Sequence, residues 1–139
     1  MNDAERWAEA RRWLIYAEED LAAARALSES GAARHVCWLA QQAAEKTLKA
    51  ILVFLQTDFP FWHDLDALRN LIPEGWRVKQ GYPDLAELTQ WAVESRYPGN
   101  WPTAGEHDSE AAIEQARGIY QSVCRDFERL GYALDEHGS

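Results

Sequence analysis

The sequence predicts an all-α protein, an up-and-down helical bundle of about five helices, three long and two short. Three observations carry that prediction. Apolar residues recur at steps of three and four over three long stretches, clusters of proline and glycine fall between them, and no stretch alternates polar and apolar residues as a half-buried strand would.

The first helix is predicted from Asp3 to about Ser28, where Trp7, Ala10, Leu14, Ala17, Leu21 and Ala24 form one apolar face and charges such as Glu9, Arg12, Glu19 and Asp20 stand between them. Ser30-Gly31 closes it, and a second helix runs from about Ala33 to Gln56. Its apolar set, which includes Val36, Leu39, Ala40, Ala43, Ala44, Leu48, Ile51, Phe54 and Leu55, is wider than one stripe. A helix apolar on several sides is contacted on several sides, so this one is expected at the centre. Asp64 is the candidate N-cap of a short third helix, with Leu65, Leu68, Leu71 and Ile72 facing inward and Pro73-Glu74-Gly75 as its stop. A loop carrying Trp76, Gly81 and Tyr82 follows. Pro83 then opens a fourth helix through Leu85, Leu88, Trp91 and Ala92 to about Ser95. The stretch from Pro98 to Gly105 has two prolines and two glycines and reads as a connection. The last helix starts at Asp108 or Ser109, carries Ala112, Ala116, Ile119, Val123, Phe127 and Leu130, and ends near Gly131.

With 139 residues the chain makes one domain, 1–139, its core spanning about 7–131, and a domain near this size buries roughly 70% of the surface its unfolded chain exposes. The net charge is −9, yet residues 33–56 hold three cations to one anion, so the second helix alone is positive. The chain starts without a secretory signal pattern, and its longest uncharged apolar run, Ala50 to Leu55, is too short to span a bilayer; a cytoplasmic protein with no membrane contact is the expectation. Cys37 and Cys124 stand apart in apolar helical surroundings, as reduced, buried thiols do. No metal or cofactor is expected: the four histidines are scattered, no Glu-x-x-His pair exists, and the eight glycines form no dinucleotide or phosphate-loop fingerprint.

Polar candidates lie chiefly on the second helix. Gln42, Glu45, Lys46 and Lys49 stand at i, i+3, i+4 and i+7 on one face of an otherwise apolar segment. Two readings fit: a solvated face with a Glu45–Lys49 pair, or a positive, hydrogen-bonding strip for an anion, a phosphate or a partner's acidic groups. As a surface strip it tolerates loss of Lys46 or Lys49 at less than about 1 kcal/mol. Arg96, ahead of the Pro98 loop, is either a cation at a helix end or a ligand contact. His63, next to the Asp64 cap, serves the helix start or a ligand. Trp62, Trp76 and Trp101 fall in or beside loops, where they can line a groove or a subunit contact.

The order of these pieces resembles the HEPN (higher eukaryotes and prokaryotes nucleotide-binding) domain family. The resemblance rests on a tryptophan-bearing first helix with Glu19-Asp20-Leu21-Ala22-Ala23-Ala24, then Cys37 to Ala50 with Gln42-Ala43-Ala44-Glu45-Lys46 and Leu48-Lys49-Ala50, then His63-Asp64-Leu65, then Ser95-Arg96-Tyr97-Pro98. It implies a helical bundle that forms a homodimer, and a partnership with a minimal nucleotidyltransferase in a two-component system of toxin–antitoxin type. Many members of the family are metal-independent ribonucleases that pair an arginine with a histidine separated from it by four to six intervening residues. Taking Arg96 as that arginine, the expected positions hold Trp101, Pro102 and Thr103, and the first histidine is His107. The resemblance therefore implies a nucleotide-, phosphate- or partner-binding module whose ligand contacts are Gln42, Glu45, Lys46, Lys49, Arg96 and His63. The alternative is a ribonuclease that uses Arg96 with a displaced His107 as its catalytic pair on RNA.

Overall fold

A computed structural model of the chain describes residues 1–60, 63–94 and 98–134. Seven helical segments lie among them: α1 Asp3–Leu27, α2 Ala33–Phe54, α3 Leu65–Asn70, α4 Arg77–Gly81, α5 Ala86–Thr89, α6 Trp91–Glu94 and α7 Glu106–Arg129. No strand occurs among the described residues.

The Asn2 side chain accepts a hydrogen bond from the Glu5 amide at 2.8 Å, and the Glu5 carboxylate turns back to the Asn2 amide, so α1 begins with two otherwise orphaned donors satisfied. Its buried residues are Trp7, Ala10, Leu14, Ala17, Leu21 and Ala24, the face drawn by the spacing. After α1 the chain turns through Gly31, whose φ of +84° is costly for a residue with a Cβ. α2 is the central helix. It packs most extensively against α1, next against α7, and also touches α3, α5 and α6. The alanines at 40, 43, 44 and 50, all fully buried, let these neighbours come close, while Leu48, Ile51, Leu52 and Phe54 fill the space between them. At one end of the bundle Trp7, Phe54, Trp76 and Phe127 pack ring against ring, with Tyr132 stacked on Trp7 at 5.2 Å.

The short elements differ from the sequence reading. The loop expected around Trp76 to Tyr82 contains α4, and its start is capped from a distance: the Asp126 carboxylate on α7 accepts the Arg77 amide at 2.7 Å. Trp76 lies in the core, packed edge-on against Phe127, rather than at a loop surface. The single helix expected from Pro83 to Ser95 is, among the described residues, interrupted at Gln90 between α5 and α6, and Ser95 lies outside those residues. Leu71, expected inside, is the C-cap of α3 and 38% exposed, whereas Leu65, Leu68 and Ile72, spaced three and four apart on one face, are fully buried. Cys37 is buried, but Cys124 on α7 is only half-buried, and neither forms a disulfide among the described residues.

Candidate functional site

The polar face of α2 folds in on itself. Glu45 lies almost wholly inside, its side chain 7% exposed. One carboxylate oxygen meets Nδ1 of His63 at 2.7 Å and Nε2 of Gln41 at 3.1 Å, and the other meets Nζ of Lys49 at 2.9 Å. Lys49, itself 9% exposed, also stands over the rings of Phe59 and Trp13 at 5.3 and 5.9 Å, so aromatic faces replace part of its lost hydration. Gln42 donates to Gln41 at 2.8 Å, and Gln41 reaches the backbone carbonyl of His63. Burial alone raises the Glu45 carboxyl, but hydrogen bonds from His63 and Lys49, the Lys49 charge and the Gln41 amide outweigh it and hold the group below the usual carboxylate range.

The solvated-face reading is therefore corrected for Glu45 and Lys49: the i,i+4 pair exists, but it is enclosed by Trp13 of α1 and by Phe59 and His63 of the connection after α2. Lys46 is not part of that network and pairs with Asp20 of α1 at 2.5 Å, both side chains about one-fifth exposed. The next residues extend the clasp. Asp64 caps α3 by accepting the Ala67 amide, and the Leu65 amide donates to Thr89 at the end of α5. His63-Asp64-Leu65 thus ties α2, α3 and α5 together. Sequence reasoning gave no site role to Gln41, Trp13, Phe59 or Asp20, although Asp20 belongs to a family-like stretch and Gln41 stands one turn ahead of Glu45.

A second feature lies at the opposite end of α2. A groove of about 660 Å³ runs between the α1–α2 corner, the first turn of α2, the α6 residues Trp91 and Glu94, and the loop from Pro98 to Ala104. Its floor holds the start of α2, where Ala32 offers no side-chain cap and no acidic residue occupies the first turn. The amides of that turn and the positive end of the helix dipole therefore face outward, with Arg34 and the exposed His35 beside them. Trp101, 42% exposed, forms part of the wall. Its indole lies over Gly99 so closely that a Cβ there would stand 2.6 Å from the ring, and glycine is what permits the approach. His107, on the first turn of α7, lines a small separate cavity with Glu87, Leu88 and Trp91. Arg96 and Trp62 lie outside the described residues. Among the described residues no group of three or more His, Cys, Asp or Glu could hold a metal ion, and no helix is long and apolar enough to cross a membrane.

The model of the HEPN domain matches residues 10–128, which take in the Glu45–His63 clasp, the groove and most of α7. This chain belongs to the HEPN domain family. The fold is similar to the crystal structure of TT1696 from Thermus thermophilus, with a TM-score of 0.72 at 24% identity over 84% of this chain and 97% of that one. It is also similar to ST0689, an archaeal HEPN homologue, with a TM-score of 0.65 at 28% identity over 82% of this chain and 93% of that one. No curated protein matches the chain. In this HEPN chain the family-like stretches at Cys37 to Ala50 and His63-Asp64-Leu65 meet in space as one hydrogen-bonded clasp.

Proposed function

We propose that this HEPN chain is a nucleotide-binding module, taking a phosphate at the start of α2 and a base against Trp101, and that it works as a homodimer beside a minimal nucleotidyltransferase in a two-component, toxin–antitoxin-like system. The observation that supports it best is the groove. It joins a helix start without a side-chain cap or an acid in its first turn, two basic side chains and an exposed tryptophan in one concavity, with the Glu94 carboxylate of α6 on its wall, and the first three are the donors and the stacking surface that a nucleoside monophosphate needs. Among the candidates on α2, Lys49 and Glu45 neutralise each other and Lys46 is neutralised by Asp20, so the α2 strip itself offers little free positive charge to an anion. Gln42 and Lys46, at the half-buried edge of that strip, are assigned to partner contact. Glu45, Lys49 and His63 are assigned to holding the clasp, and Arg96, two residues before Pro98, is assigned to the ligand. The partnership with a nucleotidyltransferase follows from the family resemblance, and co-purification with a nucleotidyltransferase encoded in the neighbouring reading frame tests it.

Calorimetric titration with AMP and with inorganic phosphate tests the ligand. AMP binds and Trp101→Ala weakens it by about fivefold or more, since base–aromatic stacking contributes about 1–3 kcal/mol. Arg34→Ala weakens both AMP and phosphate. Absence of binding by either probe, or affinities unchanged in both variants, rejects the groove as the site.

A further inference from the structure

A different cavity, which shares no lining residue with the groove, lies between α1, α7 and the segment that follows α7, beside the aromatic cluster. It measures about 210 Å³, below the roughly 300–1,000 Å³ of sites for drug-sized ligands, and so suits a compact molecule. One wall is aromatic. Trp7 packs against Phe127 at 5.1 Å, and Tyr132 closes the end by stacking on Trp7.

The polar groups of the cavity are the carboxylates of Glu18 and Glu128, the hydroxyls of Tyr120 and Tyr132 and the thiol of Cys124, so every charge among them is negative. Glu18 and Glu128 are both exposed carboxylates, and neither forms an ion pair among the described residues. The Tyr120 hydroxyl donates a hydrogen bond to one Glu18 carboxylate oxygen at 2.9 Å, and the second oxygen has no such bond among the described residues. Burial, followed by its interactions with Cys124 and Glu18, pushes the Tyr120 phenol far up, so it keeps that proton. Among the described residues no lysine, arginine or histidine lines the cavity. Arg11, on the same face of α1, has a buried Nε without a hydrogen-bond partner and pairs with neither carboxylate among the described residues. An anion therefore meets repulsion here, and a cation meets two carboxylates without an ion-pair partner among the described residues and an aromatic wall. The same ring cluster already accepts a cation on its far side: the Arg6 guanidinium lies 4.6 Å over Phe54, which packs edge-on against Phe127.

We propose that this cavity is a binding site for a small organic cation, an alkylammonium of about the size of choline, held by the aromatic wall of Trp7 and Tyr132 and by the carboxylates of Glu18 and Glu128. The site is separate from the groove at the start of α2, and nothing in it depends on nucleotide binding.

The probes are choline and its uncharged carbon isostere 3,3-dimethylbutan-1-ol, titrated into the full chain and followed by calorimetry and by ligand-observed NMR. Choline binds saturably, and the isostere binds about tenfold more weakly because it lacks the charge. Glu18→Gln, which preserves an acceptor for Tyr120, and Tyr132→Leu each weaken choline about fivefold or more, while Arg34→Ala in the groove leaves it unchanged. Should Tyr132→Leu fail to fold, Glu128→Gln at an exposed position takes its place. Lack of saturable choline binding, equal binding of the isostere, or unaltered affinity in Glu18→Gln overturns the proposal.

Discussion

Nδ1 of His63 lies 2.7 Å from a carboxylate oxygen of Glu45, eighteen positions away along the chain, and that contact fastens the start of α3 to the middle of the central helix. Because Glu45 is ionised and enclosed, Nδ1–H is the donor, and the imidazole is fixed from one side while 47% of it stays exposed. The consequences divide the polar residues of α2 into those that hold the fold and those at its edge.

The two lysines on α2 are expected to behave differently. Lys49→Ala removes the partner of a buried carboxylate, a change that typically costs about 3–5 kcal/mol. Lys46→Ala breaks a partly exposed pair with Asp20 and costs less than about 1 kcal/mol. Urea unfolding of both variants measures the contrast; equal, small effects would mean that Lys49 is solvated.

Stability is expected to fall on the acid side through Glu45. Its folded carboxyl sits below the ordinary value of 4.5, so the unfolded chain takes up the proton first. The contribution is complete above that value and is lost as the pH drops through the lower folded value. Unfolding curves of the wild type and Glu45→Gln, taken between neutral and acidic pH, should converge as the solution is acidified. A gap between them that stays constant with pH would show that the carboxylate charge is not what stabilises the clasp.

The chain is expected to form a homodimer in solution. Val93, Trp101, Tyr16 and Leu130 are exposed by 42–60%, and family members imply pairing. Light scattering should return twice the 15.9 kDa of one chain. A monomer at micromolar concentration would exclude any site shared between two copies.

Purified protein is expected to show no metal-independent RNA cleavage attributable to Arg96 and His107. The histidine is absent from the family spacing, and a positioned proton donor or acceptor typically contributes about 10²–10⁴-fold. RNA incubated in chelator with the wild type, Arg96→Ala and His107→Ala makes the comparison. Robust cleavage lost in both variants would establish the ribonuclease instead.

Helical periodicity is a local property, set by 3.6 residues per turn, and it was enough to place α1, α2 and α7 within two residues at most ends and to name every buried residue of α1. It also singled out Glu45, Lys49 and His63 as residues needing a reason. Which of them meet was decided by the tertiary structure, because a polar stripe on a helix is solvated or enclosed according to what packs over it, and here the cover comes from Trp13 on α1 and Phe59 in a connection. The same holds for α4. Nothing between Trp76 and Gly81 caps a helix, and the acceptor for the Arg77 amide is Asp126, forty-nine residues later. The groove at the start of α2 and the cavity beside Trp7 exist for that reason too: each is bounded by segments far apart in the chain, whose separation depends on how the long helices cross and leaves no mark on the spacing of residues within any one of them.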